Sequence, residues 1–342
     1  MATDGNTARV VPLTCHGHSR PVTHLNFSSV VDGDQYYLIS ACKDNNPMLR
    51  DGITGDWIGT FIGHKGAAWS SRLSSDATLA ATGSADFTAK IWDPQTGECL
   101  HTLQHNHIVK AVAFPVQNNP GVVATGGAEK KLRIFDLSRT SSSPDANGIT
   151  TKTPATSNSD GTSFEGFEIG AGEHTGSIKS IVWNTDYNII TTAADDKAIR
   201  WWDLRQQGPI ATVKTEKEIT SCELSTTKVD GSDAGIISVA AGHSALFFDA
   251  SKPGVLAKKV NFDHDISAVA INPGSGTFVT GGRYDNWIRV WDFATEKEMG
   301  GYTSDPDIGT HANSSLRGTK GPSRSYLVDL ILARRQPLRD WQ

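Results

Sequence analysis

The stretch from Gly63 to Asp93, GHKGAAWSSRLSSDATLAATGSADFTAKIWD, returns in weakened form down most of the chain, and that repetition limits the possible folds more than any other feature. Each copy opens on a His, runs through two alternating apolar segments, places an acidic residue in a tight turn, and closes seven residues later on Asp. The closing residues are Asp51, Asp93, Asp136, Asp203, Asp249 and Asp292, a step of 42 to 46 residues with one interval of 67. A repeat of that length with short alternating runs is one four-stranded propeller blade, which cannot bury its apolar faces alone and must stack on its neighbours. The expectation is an all-β β-propeller.

Composition narrows the function classes. A chain of 342 residues could bury two modest cores or one large closed assembly, and evenly spaced repeats favour the second. The 32 basic and 37 acidic residues leave a net charge of −5, which gives no global pull toward phosphate backbones, so RNA contact is expected to be indirect at most. Cys15, Cys42, Cys99 and Cys222 lack paired spacing, so neither a disulfide framework nor a zinc site is signalled. The opening MATDGNTARV carries no leader-like apolar run, and no stretch is long and apolar enough for a membrane span. The patterns GxxxxGK[ST], HExxH, GxSxG and CxxC are all absent. No enzyme activity, cofactor, metal or small-molecule substrate is therefore expected.

Within the second repeat, Ala67 to Leu73, Thr78 to Thr82, Ala89 to Trp92 and Glu98 to Leu103 read as four strands. The last leads straight into His105, so the fourth strand crosses the boundary between sequence repeats. His64, Thr82, Asp86 and Trp92 have the spacing to converge: imidazole, hydroxyl, carboxylate and indole N–H can bond in series and satisfy one another when buried. His174, Thr192, Asp196 and Trp202 repeat the set in the fourth copy. A His, a hydroxyl and an Asp are also the parts of a nucleophilic triad, but an active site occurs once, whereas this set recurs blade after blade.

The other copies are degenerate. The first has His18, Ser40 and Asp44 with Arg50 at the Trp position; the third has His105, Thr125, Glu129 and Phe135. The fifth is weakest, with Gly242 where the acidic residue belongs. His264, Asp285 and Trp291 restore the set in the sixth, with one extra turn residue around Arg283 and Tyr284. The long interval comes from 139–166, a Ser/Thr/Asn/Asp/Gly/Pro-rich run read as a disordered loop inside blade three, ahead of an outer strand near Phe167 to Gly170.

With the repeats placed, ACKDNNPMLRDGITGDWIGTFIGHKG and SADFTAKIWD resemble the WD-repeat family, and within it the family of serine/threonine kinase receptor-associated protein, also called unr-interacting protein. The resemblance is read over residues 11 to 298. It implies a WD40 propeller of seven blades, six of them recognisable here, with the propeller spanning 7–298 and the N-terminal segment Ala8 to Thr14 supplying the outer strand of the last blade. Residues 299–342 break the pattern and are read as a divergent, poorly ordered tail, either genuine or a product of a changed reading frame. The resemblance also implies a non-enzymatic scaffold, cytoplasmic and nuclear, in the survival-of-motor-neuron complex that loads Sm proteins onto spliceosomal small nuclear RNAs. It further implies a role in modulating receptor serine/threonine kinase signalling. The small propeller subunit of translation initiation factor 3 is the alternative.

A scaffold works through the loops of one face, beside the repeat-opening His and the tight turn. Arg20, Lys43, Trp69, Lys110, Lys130, Lys179, Arg283 and Tyr284 lie there as candidate contacts for protein partners in a multisubunit complex. Each is otherwise a solvated charge or, for Trp69, a packed aromatic.

Overall fold

In a computed structural model the alternating runs form six four-stranded antiparallel sheets. The structure describes residues 15–31, 33–138, 156–157, 163–164, 166–206, 208–229, 232–285 and 287–303. From the centre outward, blade one comprises Val22–Phe27, Tyr37–Cys42, Met48–Asp51 and Trp57–Thr60; blade two comprises Ala68–Leu73, Ala80–Ser84, Thr88–Trp92 and Cys99–Gln104. Blade three comprises Val109–Ala113, Val122–Gly127, Leu132–Asp136 and Gly166–Ile169; blade four comprises Ile178–Trp183, Ile189–Ala194, Ala198–Asp203 and Pro209–Lys214. Blade five comprises Ile219–Val229, Ser232–Ala241, Ser244–Asp249 and Leu256–Asn261; blade six comprises Ile266–Asn272, Thr277–Gly282, Trp287–Asp292 and Glu298–Thr303.

Buried positions fall mainly on the three inner strands of each blade, and successive blades share apolar clusters. One joins Ile91 and Leu103 of blade two to Val112 and Phe135 of blade three; another joins Val182 and Trp201 of blade four to Cys222 and Phe248 of blade five. The inner strand of each blade from one to five packs on that of the next. Among the described residues, no packing of that strength joins blade six to blade one. A polar link crosses the centre instead: Glu223 of blade five bonds Arg72 of blade two at 2.6 Å and His24 of blade one at 3.3 Å.

Three expectations change. Glu298–Thr303 pairs with Trp287–Asp292, so the propeller runs past 298, because the fourth strand of a blade always lies beyond the closing Asp. Inside the insertion Thr156–Ser157 pairs with Ser163–Phe164, where order was not expected. Blade five, the weakest repeat by motif, has the longest strands, since an 11-residue and a 10-residue strand pair over their whole length, and ladder bonds ignore the missing polar motif. The rest of the insertion, the segment Ala8 to Thr14 and residues 304–342 lie outside the described residues.

Every inner strand carries the same irregularity near its start. The register jumps between Ala68 and Ser70, between Ile178 and Ser180, and at the matching point of the other four blades. The bulged residues are Thr23, Trp69, Lys110, Lys179, Thr220 and Ser267. A bulge leaves one residue out of the ladder and re-aims its side chain. Three of the candidate contact residues, Trp69, Lys110 and Lys179, are therefore set by backbone geometry.

Candidate functional site: the loop face and its polar networks

The network is clearest in blade two. Lys90 lies opposite Thr82 in the ladder, and Trp92, two residues on, shares that face, so its indole Nε1–H donates to Thr82 Oγ1 at 2.8 Å. Thr82 Oγ1 stands 2.7 Å from His64 Nε2, and His64 Nδ1 stands 2.9 Å from Asp86 Oδ2. A single assignment satisfies every atom: Thr82 O–H donates to Nε2, and the Nδ1–H tautomer donates to the carboxylate. Asp86 also accepts Lys65 N–H at 2.9 Å and the Thr88 hydroxyl at 2.6 Å. Burial alone would raise its pKa, but His64 and these donors outweigh that and hold the carboxyl well below the ordinary range.

This chemistry is structural. A nucleophile needs a reachable hydroxyl with a free approach for substrate, whereas Thr82 is 0% exposed and its oxygen is already engaged by an indole and an imidazole.

Blade four has the same links, with Trp202 to Thr192 at 2.8 Å, Thr192 to His174 at 2.8 Å and His174 to Asp196 at 3.2 Å. It adds a buried cation: Arg200 donates to Asp196 Oδ2 at 2.8 Å and lies 2.8 Å from His174 Nδ1. Burial and then the Arg200 charge lower the His174 pKa. The turn entering this blade needs glycine, because at Gly170 (φ +63°) a Cβ would stand 2.0 Å from the Trp202 ring.

The remaining blades rewire the motif. In blade one His18 bonds Asp44 at 3.0 Å and Ser40 at 2.7 Å, and Arg50 fills the indole's place by reaching the carbonyls of His16 and Gly55. In blade three His105 is 3.8 Å from Glu129, Phe135 has no N–H to give, and His105 Nε2 and Thr125 Oγ1 are buried without hydrogen bonds. Burial, followed by the Arg133 charge, pushes His105 down to about 3. Blade six departs from expectation: Trp291 bonds Thr280 at 2.9 Å, but His264 turns to Asp263 at 2.6 Å, and Asp285 is taken by Arg289 at 2.6 Å. The longer turn moves Asp285 away from the imidazole, and Arg289 bridges the distance.

Arg133, Arg200 and Arg289 were missed in the sequence reading, although a signal was present. Each lies four residues after the turn acid of its blade, at 129, 196 and 285. The His18, Cys42 and Asp44 ligand atoms lie within 4.8 Å of one another, the chemistry of a metal cluster. Here they serve the fold: Cys42 donates its thiol hydrogen to Arg20 O at 2.9 Å, and burial raises that thiol to about 11.

The eight candidate contact residues fall into groups. Lys43 holds its ammonium 5.4 Å above the half-buried Trp69 ring, with exposed Arg20 in the loop that enters blade one. Lys110 and Lys179 converge on Asp195 at 3.8 and 2.6 Å, so these two charges are largely spent within the protein. Lys130 stands apart and exposed in the turn of blade three. Arg283 pairs with Glu218 at 3.6 Å and lies 5.6 Å from the ring of Tyr284, which is 72% exposed.

Comparison with known proteins adds to this geometry. The family model of the WD domain, G-beta repeat, matches residues 55–93, 97–136, 170–203 and 257–292. A serine-threonine kinase receptor-associated protein of Gallus gallus is 37% identical over 321 residues, covering 91% of this chain and 81% of the relative. One from Dictyostelium discoideum is 37% identical over 319 residues, covering 90% of this chain and 97% of the relative. Eukaryotic translation initiation factor 3 subunit I of Caenorhabditis elegans is 27% identical over 331 residues, covering 86% of this chain and 99% of the relative. The similarity covers 91% of the chain, more than the 11–298 stretch read from motifs.

Proposed function

Because the chain belongs to the serine-threonine kinase receptor-associated protein family of WD-repeat proteins, we propose that it serves the survival-of-motor-neuron complex, in the loading of Sm proteins onto spliceosomal small nuclear RNAs. The observation that carries this reading is 37% identity sustained over 97% of the Dictyostelium relative. Polar networks that recur as internal struts suit a non-enzymatic scaffold: they stiffen the sheets, and the loops of one face are left to hold partners. Such a role places the protein in both cytoplasm and nucleus, with RNA contacted through its protein partners. Association with a receptor serine/threonine kinase, the property in the relatives' name, is a secondary role of the same face.

Affinity purification of the full chain with quantitative mass spectrometry tests the reading. Sm-assembly proteins are expected to dominate. The second reading, a subunit of translation initiation factor 3, is favoured by the Caenorhabditis relative, and dominant recovery of that factor would replace the first.

A further inference from the structure

Blade five alone has lost both the repeat-opening His and the turn acid, and the loss changes the surface. Its tight turn is only Gly242 and His243, between strands ending at Ala241 and starting at Ser244, whereas blade two has Ala85 to Phe87 and blade four Asp195 to Lys197. The loop face is therefore lower over blade five. The space is a cleft of about 330 Å³ lined by Lys197, Lys217, Glu218, Gly242, Asp265 and Arg283, drawn from blades four, five and six. Gly242 is part of its floor, since a Cβ there would stand 2.7 Å from the Lys217 side chain.

Charge decides what fits. Of the two lining carboxylates, Glu218 is engaged by Arg283 at 3.6 Å and Asp265 faces His243 at 3.4 Å. Lys197 gives its ammonium to the Glu216 carbonyl at 3.2 Å, which leaves its charge uncompensated, and among the described residues Lys217 has no acidic partner. Lys110 and Lys179 share Asp195 elsewhere on this face, whereas the Lys197 and Lys217 charges stand open beside a cavity. We infer that this cleft docks an acidic segment of a partner protein, with a carboxylate side chain held between Lys197 and Lys217 and the exposed Tyr284 ring as a flanking contact. Two ammonium groups at a cleft of about 330 Å³ match one carboxylate side chain rather than the continuous phosphate charge of a nucleic acid. The inference rests on the scaffold reading and specifies the partner chemistry for one part of the face.

The test is fluorescence anisotropy of the full chain with a fluorescein-labelled Glu-rich peptide, in parallel with a labelled oligouridylate. Saturable, salt-sensitive peptide binding is expected, and the double variant Lys197→Glu with Lys217→Glu should weaken it about tenfold or more. The charge-matched control Lys65→Glu with Lys297→Glu, at exposed positions that do not line the cleft, should leave it unchanged. No peptide binding, an equal loss in the control pair, or tighter oligouridylate binding abolished by the cleft variant would each overturn the inference. None of these results bears on which proteins co-purify, so failure of the cleft and failure of the Sm-assembly reading remain separate.

Discussion

Blades two and three stand side by side and share one apolar cluster, yet they treat their buried polar groups in opposite ways. In blade two, indole, hydroxyl, imidazole and carboxylate form an unbroken series. In blade three, Phe135 replaces the indole and Glu129 stands off, so His105 Nε2 and Thr125 Oγ1 stay unpaired. Both blades nevertheless keep a four-stranded sheet. Burial and ladder bonds therefore build the blade, and the network determines how much a single substitution costs.

Four measurements would break or sharpen that contrast. The largest loss is expected for Asp196→Ala in blade four, about 3–5 kcal/mol, since it leaves the Arg200 guanidinium buried without its carboxylate. Asp86→Ala in blade two, which has no such arginine, should cost about 1–3 kcal/mol. Denaturant titration of the two variants compares them directly, and equal midpoints would remove the special role of Arg200.

Next is Thr82→Val, which orphans both Trp92 Nε1 and His64 Nε2 and should cost about 2–4 kcal/mol. The same exchange in blade three, Thr125→Val, removes a hydroxyl with no hydrogen bond and should cost under about 1 kcal/mol. Similar thermal shifts for the two variants would sink the network account.

A third contrast is in pH. The folded His105 pKa of about 3 lies below the ordinary 6.5, so the unfolded chain binds the proton that the folded one refuses. Its contribution is complete above 6.5 and fades as pH falls toward 3, with a slope approaching about 1.4 kcal/mol per unit. His18 and His174 are shifted the same way, so His105→Leu should remove part of the acid sensitivity and leave a remainder. An unchanged stability profile for that variant would show that His105 titrates normally.

The smallest effect is expected at the surface. Lys179→Ala breaks the 2.6 Å pair with Asp195 but leaves Lys110 to take it, so unfolding midpoints should move by less than about 1 kcal/mol.

Much of this was legible from residue types at fixed offsets. The closing Asp residues marked the blades, and the spacing of His64, Thr82, Asp86 and Trp92 marked a set that meets within hydrogen-bond distance. Phe135 and Gly242 were readable as lost partners. Such features are local, because ladder register and the period of two carry them from sequence into space. The arginines at 133, 200 and 289 were equally local, four residues after each turn acid and two before the aromatic position of the motif, but they are absent from the complete set in blade two that served as the template.

What the sequence by itself determined, then, was the repeat, the all-β blade and the polar set inside it, since each depends on residues within one period of the chain. Tertiary structure alone decided the rest. The His24–Glu223 and Arg72–Glu223 links join residues 199 and 151 positions apart, and no periodicity records which inner strands face one another across the centre. The blade-five cleft likewise exists only because Lys197, Lys217 and Arg283, from three blades, border a turn that is too short to fill the space between them.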